Sequence, residues 1–222
     1  MKKNIFFWFF LFFCLTTYNI TDNNQKKFNL FQIKYIEIEG IKNSNKSDLI
    51  KELSKIKKEN LIFLKSNNFE RIVKNTDFVN SIKIKKIYPD RIKVTVIENA
   101  PIGIYINEKG KKYYLLENNK IVDERNYKIK NLPQVSGKGG VNKFSNFHKS
   151  LKKTDFNFNL IKEFIYHDIG RWDILLHSKK LLKLPPDNFE NSIVKFLQIY
   201  EKDNFKEFKI FDFRIKNELI LK

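Results

Sequence analysis

The chain has 222 residues, with 43 Lys and Arg against 25 Asp and Glu for a formal charge of +18, and 42% of its residues are hydrophobic. That apolar fraction fills a core over one large domain or two small ones and excludes a disordered chain; the lone Cys14 excludes an intrachain disulfide framework and a cysteine-based zinc site. Arginine stands only at Arg71, Arg91, Arg125, Arg171 and Arg214, and bidentate phosphate and base contacts favour arginine, so the charge reads as a solvated lysine surface rather than a nucleic-acid site.

After Met1-Lys2-Lys3 no charge occurs until Asp22, and Ile5 to Leu15 is wholly apolar, with six phenylalanines and Trp8. As a helix, residues 4–21 span about 27 Å, close to the hydrocarbon thickness of a bilayer. The segment reads as a membrane-inserting helix after a cytoplasmic tail of residues 1–3, with residues 22–30 as a linker. A cleaved signal peptide is the rival, but the flank Thr16-Thr17-Tyr18-Asn19-Ile20 lacks a small-x-small pair. Phe12 and Phe13 before Cys14 are too bulky for a lipoprotein signal. Lys2 and Lys3 orient the tail inward, which puts about 200 residues outside the cytoplasm, where their charge is attracted to anionic lipid or wall polymer.

Residues 31–101 show a clean order of elements. Ile36-Glu37-Ile38-Glu39 alternates as a half-buried strand ended by Gly40. Ser47 is the expected N-cap of a helix carrying Leu49, Ile50, Leu53 and Ile56 on one stripe. Ser66 or Asn67 caps a second helix, with Asn67 and Glu70 at capping-box spacing and Phe69, Ile72 and Val73 as its apolar face. Ile82 and Ile84, a Tyr88-Pro89-Asp90-Arg91 turn, and Ile92, Val94 and Val96 form a hairpin. Strand, helix, helix, strand, strand predicts an α+β unit with both helices on one face of a three-stranded sheet.

Residues 102–222 are richer in strand pattern. Ile102 to Ile106, Tyr113 to Glu117 and Lys120 to Asp123 read as a meander, Leu132 to Val135 as a brief strand and Ser145 to Lys152 as a short helix. Strands follow at Ile161 to Tyr166, Trp172 to His177 and Leu181 to Leu184. A helix starts at Asp187 with Glu190 completing a capping box, burying Phe189, Ile193, Phe196, Leu197 and Tyr200. Phe208 to Phe213 and Glu218 to Leu221 close the chain as strands.

Catalytic and cofactor patterns are missing. His148, His167 and His177 fit no metal-ligand spacing, although His167 and His177 face one another if their hairpin is regular. Gly137-Lys138-Gly139-Gly140 matches a phosphate loop by composition only and reads as a flexible connector. No Gly-x-Ser-x-Gly or Ser-x-x-Lys occurs, and nothing in the sequence pairs Asp168, Asp173 and Asp212. The chain therefore reads as a binding protein without cofactor, metal or small-molecule substrate, not as an enzyme.

Tyr35-Ile36-Glu37-Ile38-Glu39-Gly40, and more specifically the run Ile84 to Pro101 with Tyr88-Pro89-Asp90-Arg91 and Glu98-Asn99-Ala100-Pro101, resemble the first extracytoplasmic module, a POTRA domain, of the bacterial cell-division family FtsQ (DivIB in Gram-positive bacteria). Arg171 to Leu176, Lys183-Leu184-Pro185 and Phe211-Asp212-Phe213-Arg214 sit where that family has its own strands in a following β domain, here residues 102–222. The resemblance implies a non-enzymatic divisome scaffold in the inner membrane, single-pass and type II, with its bulk in the periplasm at the septum. It implies binding to FtsB and FtsL by strand addition at the C-terminal edge, and to other division proteins through the POTRA domain. The partner-binding residues are then Arg171, Phe211, Phe213, Glu218, Leu219, Ile220 and Leu221. Arg171 is expected to meet an acidic residue of the partner, or else to be an ordinary surface arginine. The rival binding reading is a POTRA-containing chaperone or translocation-machinery subunit that binds extended peptides by strand addition.

Overall fold

A computed structural model describes residues 2–16, 31–216 and 218–222. It opens with α1 (Lys2–Thr16), a 15-residue helix whose phenylalanines from Phe6 onward and Trp8 all face outward. No described helix is long and apolar enough to cross a membrane. Residues 17–21 of the expected spanning segment and the whole linker 22–30 lie outside the described residues.

The first sheet contains β1 (Tyr35–Glu39), β2 (Val79–Ile87) and β3 (Arg91–Glu98) in the order β1-β3-β2, with β1 parallel and β2 antiparallel to β3. Alternation sends Ile92, Val94 and Val96 to one face, where α2 (Lys46–Ser54) and α3 (Asn67–Asn75) cover them with Leu49, Leu53, Phe69 and Ile72. The order of elements and the single helical layer are as the sequence predicts. Asn45, not Ser47, caps α2, its Oδ1 accepting the Ser47 N–H at 3.0 Å. Ser66 is the N-cap of α3, one of the two residues expected there, but its side chain makes no capping hydrogen bond; Asn68 Oδ1 accepts from the Lys65 N–H at this end of the helix. Gly40 sits at φ +86 against the Val96 carbonyl, where a β-carbon would collide. Beyond it the Glu98 carboxylate accepts the N–H groups of Lys42, Asn43 and Ser44 at 3.1, 2.8 and 2.9 Å, anchoring the loop into α2 to the end of β3.

The second sheet has nine strands in the order β12-β11-β10-β9-β8-β7-β4-β5-β6. They are β4 (Pro101–Ile106), β5 (Lys112–Leu116), β6 (Ile121–Asp123), β7 (Gln134–Ser136), β8 (Ile161–His167), β9 (Arg171–Leu176), β10 (Leu181–Lys183), β11 (Ile210–Asp212) and β12 (Ile220–Leu221). Its core face carries Phe164, Trp172, Ile174, Leu182 and Phe211, packed by α4 (Gly140–Leu151) through Phe144 and Phe147 and by α5 (Phe189–Ile199) through Ile193 and Phe196.

Several local expectations change here. The Gly137–Gly140 run is not a flexible connector: Gly137, at φ +97, packs so close to the Tyr166 carbonyl that a methyl group would overlap it. That contact lets α4 begin at Gly140 rather than Ser145. Asn188 in the left-handed region starts α5 without a side-chain cap, in place of the Asp187–Glu190 box. His167 pairs with Arg171 whereas His177 lies beside Leu160 at the other end of the hairpin, so the two histidines do not meet. Finally β11 and β12 are shorter than expected; at the start of the first, the Phe208 carbonyl, with those of Phe205 and Lys206, accepts from the Lys180 ammonium instead of a neighbouring strand.

Candidate functional site

The site is the edge formed by β12 and the sheet face beside it. Ile210 donates to Lys222 O at 2.9 Å and Lys222 donates back to Ile210 O at 3.1 Å, a hydrogen-bonded antiparallel pair. Asp212 and Ile220, two residues along each strand, form the next such pair, and Phe211 and Leu221 lie between. In this ladder the residues of the intermediate pair turn their N–H and C=O away from each other. Leu219 and Leu221 thus present backbone groups outward from the sheet, while their side chains pack on the core. Ile220 does the reverse: its backbone serves β11 and its side chain stands on the opposite face, 37% exposed.

That opposite face carries a row of charges. Register places Asp173 on β9, Lys183 on β10, Asp212 on β11 and Ile220 on β12 side by side. Asp173 and Asp212 are buried although they face away from the core. Each is partnered by an arginine two residues away in sequence: Arg171 on β9 itself, on the face it shares with Asp173, and Arg214 just past the end of β11. Arg214 grips Asp212 with Nε at 2.8 Å from Oδ1 and Nη2 at 2.5 Å from Oδ2. This grip holds the Asp212 carboxyl below the usual carboxylate range and the Arg214 guanidinium above its own. Arg171 is held more loosely, its Nε 3.7 Å from Asp173 Oδ1 and without a hydrogen bond, while His167 Nε2 lies 2.9 Å from the other oxygen. Arg171 and Arg214 line a cleft of about 400 Å³ with Asp212, Pro186 and three isoleucines, Ile169, Ile215 and Ile220. Ile169 is 72% exposed. Such a surface suits a strand that carries an acidic group and branched aliphatic side chains.

The expected site residues therefore separate into two groups. Arg171, Ile220 and the outward backbones of Leu219 and Leu221 come together at the edge, and Glu218 stands exposed beside them. Phe211 on β11 and Phe213 just after it are buried in the core rather than exposed at the edge. Leu219 and Leu221 likewise send their side chains inward rather than into partner pockets. The sequence reading missed Asp173, Asp212 and Arg214 as site residues, as well as Ile169 and Ile215. One signal for the first three was present: Arg171-Trp172-Asp173 and Asp212-Phe213-Arg214 each flank a buried aromatic with an Arg/Asp pair at i, i+2. Among the described residues no group of three His, Cys, Asp or Glu is placed to hold a metal ion.

A β-α-α-β-β module followed by a nine-stranded sheet ending in an open edge defines a two-module POTRA-plus-β protein. Residues 31–99 match the family model "POTRA domain, FtsQ-type", and residues 104–214 match "Cell division protein FtsQ/DivIB, C-terminal". The chain belongs to the FtsQ/DivIB family. It is 26% identical over 169 residues to the cell division protein DivIB of Clostridium tetani, covering 76% of this chain and 58% of that one. It is 25% identical over 198 residues to the cell division protein FtsQ of Rickettsia typhi, covering 85% and 71%. A 114-residue stretch is 34% identical to DivIB of Clostridium acetobutylicum, covering 50% and 45%. The chain thus spans 58% of the C. tetani relative's length.

Proposed function

We propose that this protein is a non-enzymatic scaffold of the bacterial divisome, anchored in the inner membrane by the segment 4–21, with residues 31–101 as POTRA domain and 102–222 as β domain in the periplasm. Its β domain binds FtsB, together with FtsL, by accepting a strand at β12, and its POTRA domain engages other division proteins. The observation that carries the reading is the outward turn of the Leu219 and Leu221 backbones at an edge flanked by Arg171 and Ile220. An unpaired edge satisfies its N–H and C=O groups by β-augmentation, and the neighbouring side chains select which strand fits. Arg171 supplies that selection, because it lines the cleft and its Nε, 3.7 Å from Asp173 Oδ1 and without a hydrogen bond, leaves it loosely paired.

The test is capture of the periplasmic part of FtsB by the full chain in detergent, compared with a chain truncated after Lys216 and with Arg171→Glu. Truncation abolishes capture and the charge reversal weakens it by about ten-fold or more, in line with losing a charge-assisted hydrogen bond. Equal capture by the intact and truncated chains sinks the edge-strand reading. Depletion in cells that leaves septation unaffected sinks the division role.

A further inference from the structure

The first module carries apolar side chains that its own core does not use. Four apolar residues in a row, Leu61-Ile62-Phe63-Leu64, lie in the turn between α2 and α3. Leu61 and Leu64 are buried, whereas Ile62 is 49% and Phe63 75% exposed. The Leu61 N–H donates to Phe31 O at 2.7 Å and Gln32 bridges to Asn60, so the turn lies against the segment by which the chain enters the module. Lys86 Nζ donates to Ile62 O at 3.1 Å. The ring of Tyr88, exposed in the turn between β2 and β3, stands edge-on 5.7 Å from that of Phe31. Two turn tips and the entry of the chain thus share one end of the module, where Ile62, Phe63 and Tyr88 meet solvent.

Lysines accompany these side chains. On the segments 31–34, 58–65 and 86–90 stand Lys34, Lys58, Lys65 and Lys86. The carboxylates there are Asp90, 3.4 Å from Lys34 Nζ, and Glu59, which accepts from Asn68 Nδ2 at 2.9 Å. Lys58 and Lys65 are exposed, and among the described residues neither is ion-paired, so this end is positive. Apolar tips with ammonium groups beside them suit the interface of a bilayer: phenylalanine and isoleucine enter the acyl boundary, tyrosine stays at headgroup level, and lysine reaches the phosphates on its long stem. A protein pocket is concave, whereas Phe63 and Tyr88 stand at turn tips. The chain between Thr16 and Phe31 reaches at most about 50 Å when fully extended. Given the anchor at 4–21 proposed above, a tether of that length holds this end of the module to the bilayer at an effective concentration of roughly millimolar, where a weak contact suffices.

We propose that this end of the POTRA module docks on an anionic phospholipid bilayer, with Ile62 and Phe63 inserted at the acyl boundary, Tyr88 at headgroup level, and Lys58 and Lys65 on lipid phosphates. The contact rests on the anchor proposed above and adds to it a second, reversible hold on the membrane, made by the folded module itself. Buried apolar area gives the docking its strength, and the lysines make it depend on anionic lipid.

The test is tryptophan quenching in the full chain, reconstituted into vesicles of brominated phosphatidylcholine with phosphatidylglycerol. Trp8→Phe removes the tryptophan of α1 and leaves Trp172, which is buried in the second module. Phe63→Trp in that chain adds a reporter that keeps an aromatic ring at the tip. Its added emission is quenched, and more by bromines near the headgroups than by bromines near the chain ends. Ile62→Asp, or Lys58→Glu with Lys65→Glu, lowers the docked-to-free ratio read from this quenching at least ~10-fold. Omitting phosphatidylglycerol weakens it likewise. The thermal midpoint stays at that of the parent, because all three side chains are exposed. In the same vesicles the parent chain, with Trp8 and Phe63 both in place, reports on the anchor. Quenching of Trp8 without quenching of the Phe63→Trp reporter overturns the docking and leaves the anchor standing; absence of both overturns both. A reporter that the bromines spare but that is shielded from aqueous acrylamide assigns the tip to a second copy of the chain and overturns the contact with lipid. Quenching that neither Ile62→Asp nor the lysine reversal changes overturns it as well.

Discussion

His148 lies in the last turn of α4, buried between the rings of Phe144 and Phe158 at 5.8 and 4.7 Å, with its Nδ1 unpartnered. Burial pushes its pKa below the ordinary histidine value, against a weaker opposing pull from Glu117. With the folded pKa depressed, His148 is neutral in both states above the unfolded value of about 6.5, and its full contribution to stability is present there. As pH falls below that value the unfolded chain takes up the proton first, so stability declines until the folded pKa is passed. Thermal melts from pH 7.5 to 4.5 should therefore show His148→Leu losing less stability on acidification than the parent, by no more than about 1.4 kcal/mol per pH unit for one proton. Parallel curves for the two proteins would show that His148 does not carry the effect. At the same scale, the Arg/Asp pairs were legible only as residue types. Their spacing puts Arg171 and Asp173 on one strand face, but no sequence rule says that Asp173 and Asp212 share a row with Lys183, because that row is made by three strands from separate parts of the chain.

At the scale of elements, the edge depends on one lysine in the turn before β10. The Lys180 ammonium donates to the carbonyls of Phe205, Lys206 and Phe208 at 3.1, 2.9 and 2.8 Å and lies 5.1 Å above the Phe211 ring. It gathers the loop that feeds β11, and its partial burial lowers its pKa. β11 and β12 are only three and two residues long, so their ladder alone holds them weakly. Lys180→Met keeps the stem but removes the donors, a cost on the order of 1–2 kcal/mol for charged hydrogen bonds in a partly solvated place. Hydrogen exchange should quicken selectively at Ile210 and Lys222 and spare β8 and β9; a uniform change across the sheet would contradict a local role. Hydrophobic period located the long helices and strands well, because burial of a face repeats within the element itself. It overestimated the last two strands and misplaced the caps of α2 and α5, because caps and strand ends are settled by which nearby group reaches an orphan N–H or C=O first.

The two sheets meet through a small core of their own. Phe78, at the entry to β2, is fully buried among Tyr114, Leu116 and Val122 of the second sheet, with the Tyr127 ring 4.7 Å away edge-on. Tyr127 donates its hydroxyl to Asp77 at 2.9 Å, and Lys120 Nζ donates to Thr76 O at 3.0 Å. Burial and the Asp77 carboxylate push the Tyr127 phenol well above its ordinary range, so this lock persists across the physiological pH range. Phe78→Ala should cost about 3–5 kcal/mol and split a single calorimetric transition into two as the modules lose their shared packing. One transition, merely shifted, would mean that the remaining contacts suffice to couple them. The apolar helix at the N-terminus, the strand and helix order of both modules and the alternation in β3 were determined by the sequence alone, since each is a pattern within one short window of chain. Tertiary structure alone decided the joining of strands 101–221 into one nine-stranded sheet, with parallel β4–β7, β7–β8 and β10–β11 pairs, the burial of Phe78 in the neighbouring module, and the meeting of Arg171 with Ile220 at the edge. Those pairings join residues tens of positions apart, whose proximity follows from how separate faces pack and not from any local period.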